Sequence, residues 1–179
     1  VVRRVLPCDA AALLRIDGEA LVPVATHGLA ADTLGRRFRL AEHPRLERIC
    51  SSREPVLFPP DCDLPDPYDG LVAGDATSLE RIHACLGCPL YVEGVLIGAL
   101  TADALTPGAF DGLDTRLLAA LGALAGAAMR TSRLIEALEA TAARQGRIAR
   151  DLMREAQLGQ GGQLLGASEA MERLRRDIA

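Results

Sequence analysis

Three carboxylates, an imidazole and a thiol fall close together in the middle of the sequence, and little else in it is chemically armed. Asp66 and Asp69 stand in Leu64-Pro65-Asp66-Pro67-Tyr68-Asp69-Gly70, His83 and Cys85 in Ile82-His83-Ala84-Cys85, and Asp103 in Leu100-Thr101-Ala102-Asp103. An oxygen-rich set with one nitrogen and one sulfur suits a mid-series divalent metal such as ferrous iron, whereas structural zinc favours a sulfur-rich set. Each residue also has an ordinary reading. Asp66 and Asp69 in a Pro-rich loop can be turn formers, Cys85 a small core residue, His83 a surface residue, and Asp103 the cap of a turn. Cys85-Leu86-Gly87-Cys88 could serve as a redox or zinc pair, but strand alternation sends the two side chains to opposite faces and no second cysteine pair completes a tetrahedral site. His27 and His43 read as structural or exposed.

Three elements must bring these groups together. Pro67 disfavours a helical Asp66 and Gly70 permits a sharp turn after Asp69, so the two carboxylates can converge from a loop. Residues 83–92 and 95–103 read as strands of a hairpin around Glu93-Gly94, with His83 and Cys85 on one face and Pro89 marking an irregularity or an edge. The register is critical. A regular two-residue turn places Ala102 opposite Cys85; Asp103 takes that place with a three-residue connection or a bulge.

Around this core, residues 1–6 read as the tail of a helix cut by Pro7, and residues 10–16 and 21–26 as a hairpin turning at Asp17-Gly18. Residues 29–34 form a short helix. A second helix starts at His43-Pro44, with Leu46 and Ile49 inward and Arg45 and Arg48 on the other side. Residues 55–58 are a short strand, and the stretch from Pro59 to about Ser78 is a long irregular loop of the kind that is usually functional or disordered. Asp111 is the expected cap of the longest helix, with Asp114 in its first turn. Leu117, Leu121, Leu124, Ala128, Thr131, Ile135, Leu138, Ala142, Gln145, Ala149 and Leu152 alternate spacings of four and three, a heptad seam. Its first half carries extra apolar residues expected to pack on the sheet. Its second half has the seam alone, which implies a homodimer through residues 130–152.

Composition removes several classes. All 20 basic residues are Arg, so no lysine is present for a Schiff base or a phosphate-binding loop. The net charge of −4 with 3% aromatic residues and no Trp gives neither a basic field nor stacking platforms, and direct contact with nucleic acid is not expected. Five cysteines, an odd number, point to reduced thiols in a cytoplasmic protein. No apolar run is long enough to span a bilayer. The chain starts at Val and reads as a fragment, with no enzyme activity of its own.

The run Cys88 to Leu100, followed by the helix near Asp111, resembles the closing hairpin and terminal helix of a GAF domain. Residues 164–171 and Leu174-Arg175-Arg176 look like the opening of the AAA+ module of bacterial sigma-54 activators. The Gly35-Arg36-Arg37-Phe38 and His43-Pro44-Arg45-Leu46-Glu47 runs, Leu64 to Gly70 and His83-Ala84-Cys85 resemble the NorR family of nitric-oxide-responsive activators within that class. The resemblance implies an α+β fold, an antiparallel sheet flanked by helices with a long C-terminal coiled-coil helix. It divides the chain into a GAF sensor over 1–129, a linker helix over 130–158, and a flexible linker with the start of the AAA+ ATPase over 159–179. It further implies a mononuclear non-haem Fe(II) centre that binds nitric oxide and so relieves repression of the chain's own AAA+ domain. The implicated positions are Arg45, Asp66, Asp69, His83, Cys85 and Asp103. Arg45 offers donors and no lone pair, so it is expected to hold carboxylates in place without ligating the metal. Cys8, Cys50, Cys62 and Cys88 fall outside this pattern. A GAF pocket for an organic ligand or haem, and a purely dimerising module, are the competing readings.

Overall fold

The computed structural model describes residues 6–72, 84–159 and 168–178. The helix expected over residues 1–6 lies outside these apart from Leu6, as does the flexible linker beyond Gly159. Six antiparallel strands, β1 (Ala10–Asp17), β2 (Ala20–His27), β3 (Phe38–Arg39), β4 (Val56–Phe58), β5 (Ala84–Val92) and β6 (Val95–Ala104), form one sheet in the order β3-β2-β1-β6-β5-β4. The first hairpin turns at Gly18, whose φ of +62° suits glycine. Its two-residue loop is Gly18-Glu19, one residue on from the expected Asp17-Gly18, because Asp17 still pairs with Ala20. Residues Ala31–Gly35 make a 3₁₀ turn where a short helix was expected, and β3 is a strand that the apolar pattern does not reveal.

Alternation along the strands builds two cores. On one face Ala10, Ala12 and Leu14 of β1 pack with Leu46 and Ile49 of helix α1 (Pro44–Ser51) and with Tyr68. On the other, Ala11, Leu86, Cys88, Leu90 and Ala102 lie beneath Leu118 and Met129 of helix α2 (Thr115–Gly159). Leu46, Ile49 and Leu118 are completely buried, each contributing roughly 1.5–3 kcal/mol of apolar transfer. Cys85 and Cys88 face these opposite cores, as strand alternation requires. Pro89 lies beyond the last β4 pairing, which ends at Val56↔Gly87, so on that side β5 needs no donor from it.

Two expectations are corrected here. Arg45 does not face away with Arg48 but is buried with Leu46 and Ile49. The cap of α2 is Asp114 rather than Asp111: Asp114 Oδ1 accepts the Arg116 N–H at 2.8 Å and its carbonyl accepts the Leu118 N–H at 3.1 Å. The stripe of α2 turned to the sheet is Leu118, Gly122, Gly126 and Met129, displaced from the heptad seam. Gly122 and Gly126 let the helix approach β5, since a Cβ on them would lie 3.4 Å from Cys88 Cβ and 3.5 Å from Val92 Cγ2. The seam itself is left open over much of its length, with Leu124 68% and Leu138 70% exposed.

The chain divides into two compact units, residues 1–131 and 132–179. Within the second lies helix α3 (Glu169–Ile178), and the Met171 N–H bonds to the Ser168 carbonyl at 3.0 Å. Among the described residues no helix is long and apolar enough to cross a membrane.

β1 approaches β6 closely at Gly98, where an added Cβ would collide with the Leu14 carbonyl oxygen and sit 3.1 Å from Met129 Cε. Gly98→Ala is therefore expected to cost about 3 kcal/mol, the upper range for overpacking. Urea denaturation measures it, and an unchanged midpoint would contradict the close approach of β1 and β6.

Candidate metal centre

The site begins with the register of β5 and β6. Glu93 and Gly94, with φ of +53° and +80°, form the two-residue turn between them. Pairing runs Val92↔Val95 and Tyr91↔Leu96, then Leu90↔Gly98, so Ile97 is the extra residue of a β-bulge. That single insertion shifts the register by one and sets Asp103 directly across from Cys85. Both belong to the face packed by α1 and the 59–72 loop.

The loop delivers Asp66 to this pair. Asp66 Oδ1 accepts the Tyr68 N–H at 2.9 Å, and Asp66 Oδ2 accepts Arg45 Nη1 at 2.6 Å. Arg45 Nε bonds to the Leu64 carbonyl at 2.7 Å, so one guanidinium fastens the loop at two points. Its carbon end lies over the Phe58 ring, 5.3 Å from the centroid. Ligand atoms of Asp66, Cys85 and Asp103 lie within 4.8 Å of one another, and all three residues are buried. Two donors on opposite sides of one ion stand about 4–4.6 Å apart, so a small inward adjustment lets them share a metal.

Charge explains why such an arrangement calls for a cation. Burial, followed by the Asp66 charge, pushes the Asp103 carboxyl well above its ordinary range, and among the described residues neither of its oxygens has a hydrogen-bond partner. Cys85 lies near enough to bear on its ionisation without hydrogen-bond geometry. Burial, then the Asp103 charge, likewise raises the Cys85 thiol. Burial also raises Asp66, against the Tyr68 amide and Arg45, which favour its charged form. Burial opposes the Arg45 charge, but Asp66, Cys85 and Cys62 outweigh it and shift that group upward. Arg45 thus pairs with Asp66, while burial and the Asp66 charge disfavour the charged form of Asp103. An unpartnered carboxyl sealed from water beside a thiol and a second carboxylate has the donor chemistry that a divalent metal satisfies.

The structure thus brings together Arg45, Asp66, Cys85 and Asp103. Asp69 is exposed and outside the cluster, its N–H 3.4 Å from the Asp66 carbonyl, and His83 lies outside the described residues. Expected to converge with Asp66, Asp69 instead occupies the outer side of the turn. Sequence reasoning missed Tyr68, a lone aromatic between Pro67 and Asp69 that is completely buried. An isolated aromatic inside an otherwise polar loop was the available signal.

The GAF domain family matches residues 1–129. The chain belongs to that family. Solved GAF domains share the architecture: one from a phosphoenolpyruvate-protein phosphotransferase of Coxiella burnetii has a TM-score of 0.60 at 24% identity, covering 76% of this chain and 80% of its own. The GAF domain/HD domain protein of Geobacter sulfurreducens has a TM-score of 0.56 at 20% identity, covering 74% and 87%. Among curated proteins, the "anaerobic nitric oxide reductase transcription regulator NorR" of Aeromonas salmonicida is 46% identical over 99% of this chain and 33% of its own length. The protein of that name from an Enterobacter species is 51% identical over 76% and 27%. This GAF chain spans about a third of the length of the curated relatives it matches.

Proposed function

We propose that this GAF domain is the regulatory sensor of a nitric-oxide-responsive transcription regulator, and that it holds a mononuclear ferrous ion in the cluster of Asp66, Cys85 and Asp103. The names of its relatives support the first part. One observation supports the second: the buried Asp103 carboxyl, both oxygens unpartnered, facing Cys85 and Asp66. His83, one residue before β5, and Asp69, in the loop turn, are the further candidate ligands. Ferrous iron in such a set supplies an open coordination position for a small neutral gas that offers a protein little charge or shape to grip. Asp66 and Asp103 offer oxygen, Cys85 offers sulfur once its proton leaves, and Arg45 offsets part of the negative charge while orienting Asp66.

In this reading the domain is not itself an enzyme; it works in the cytoplasm and controls an AAA+ ATPase belonging to the same polypeptide. Ultraviolet-visible spectra of protein loaded anaerobically with ferrous iron, before and after nitric oxide, test the reading. A nitric-oxide-dependent band that requires iron is expected, and its absence would count against the sensor.

The exposed seam on α2 supports self-association. Leu124, Ile135, Leu138 and Leu152 are each at least half exposed, so a second copy of the helix is the proposed cover. Leu138→Asp should convert a dimer to a monomer in light scattering while leaving the GAF domain folded; a wild type that is already monomeric would contradict the dimer.

A further inference from the structure

We infer that the hydroxyl pair Tyr68–Thr101 positions the proposed metal site, setting how deeply the Asp66 loop is seated against the strand that carries Asp103. The inference rests on the metal reading and adds to it two residues outside the ligand set.

The loop over residues 59–72 contains no strand or helix; its end is tied to residues 29–30 by the Leu29↔Val72 bridge and by the Ala30 N–H to the Leu71 carbonyl at 2.7 Å, so the placement of its middle must come from individual side-chain contacts. Local turn bonds such as Leu71 N–H to the Tyr68 carbonyl at 2.8 Å fix its shape but not its depth. Arg45 holds Leu64 and Asp66 from one side. Tyr68 supplies the other side. Its side chain has no exposure, its ring meets Phe38 edge-on at 5.6 Å, and its hydroxyl lies 2.9 Å from Thr101 Oγ1. Thr101 is also completely buried, and its hydroxyl lies 3.5 Å from the Ala12 carbonyl.

Thr101 stands two residues before Asp103 on β6, so strand alternation puts both on the same face. The loop is therefore measured against the strand that bears the orphan carboxyl. The main chain of Tyr68 completes the link, because its N–H is the donor to Asp66 Oδ1 at 2.9 Å. A single residue thus ties β6 at one end and a candidate ligand at the other, through a side chain with only two rotatable bonds. Valine would fill the Thr101 space and suit a strand equally well, and a buried hydroxyl is costly unless bonded. The hydroxyl meets that cost with two contacts, the Ala12 carbonyl at 3.5 Å and the closer Tyr68 hydroxyl at 2.9 Å.

A merely structural role would lower stability and leave metal affinity alone, which separates the two accounts. Ferrous iron affinity is measured anaerobically for Tyr68→Phe, Thr101→Val, their double variant and Thr101→Ser, together with Tyr68 amide exchange in the metal-free proteins. Each of the first two should weaken iron binding about tenfold, the scale of contacts that orient a ligand, and speed Tyr68 exchange. The double variant should lose no more than either single one, and Thr101→Ser should keep the wild-type affinity. Unchanged affinity in both single variants, or losses that add in the double variant, would overturn the inference. A wild type that takes up no iron overturns the metal reading instead. The seating of the loop is then read from amide exchange alone, where faster exchange in both variants supports it and unchanged exchange overturns it.

Discussion

Asp103→Asn is expected to abolish ferrous iron binding and, in the metal-free protein, to raise stability at neutral and alkaline pH. The two effects have one cause. Asp103 is almost wholly buried with neither oxygen bonded, so its charge is tolerated only when a cation arrives. Burial raises its carboxyl above an unfolded value of about 3.9. A group raised in this way contributes its stability in full below the unfolded value and loses it as pH climbs toward the folded one. Asp66, also raised by burial, acts in the same direction. The metal-free wild type should therefore weaken from about pH 4 upward. The Asn variant should lack the Asp103 share of that loss, since an amide carries no ionisation cost, and gain about 1–3 kcal/mol at pH 8, the free energy of a ten- to hundredfold shift in the carboxyl's ionisation equilibrium. Urea midpoints across this range measure it. A variant less stable than wild type at pH 8, or a parallel pH profile, would mean that Asp103 is already satisfied without metal.

Arg45→Ala should have the opposite effect on the metal-free fold. It strips the buried Asp66 of its 2.6 Å ion pair and leaves the Leu64 carbonyl without its 2.7 Å donor. Breaking a buried pair by removing one partner costs about 3–5 kcal/mol, because an uncompensated charge remains. Iron affinity should fall about 10–100-fold, since Asp66 loses the group that orients it. Arg45→Lys keeps the charge but cannot reach both the carboxylate and the carbonyl with a planar fork, so an intermediate loss is expected in both readings. Thermal unfolding and anaerobic iron titration of the three proteins measure these effects. Equal stability and affinity in Arg45→Ala would contradict the role given to the guanidinium.

The sequence made the fold legible where one physical rule dominated. Alternation gave the two hairpins, Pro44 marked the start of α1, and the motifs along 88–100 pointed to the family. Errors arose where two rules competed. Arg45 was placed outside by its charge, yet it stands one helical turn before Ile49 and so shares that residue's buried face; helix geometry overrode polarity. The α2 surface that packs on the sheet is rich in glycine and alanine, which carry little hydrophobic signal; of the heptad leucines Leu121 packs on the core, whereas Leu117, Leu124, Leu138 and Leu152 are exposed. The Ile97 bulge could be named only as a condition for bringing Asp103 opposite Cys85, because both of its neighbouring strands contribute to register. Asp69 shows the limit of spacing alone. Asp66 is turned inward by Arg45 and the Tyr68 amide, and three residues later the chain has turned Asp69 to solvent.

X-ray absorption at the iron edge of protein loaded anaerobically with one ferrous ion per chain tests the central claim most directly. A single sulfur scatterer near 2.3 Å, with oxygen or nitrogen near 2.0–2.2 Å, is expected, and the sulfur should vanish in Cys85→Ser. A spectrum with no sulfur, or one whose sulfur survives that substitution, would contradict a metal centre built on Asp66, Cys85 and Asp103.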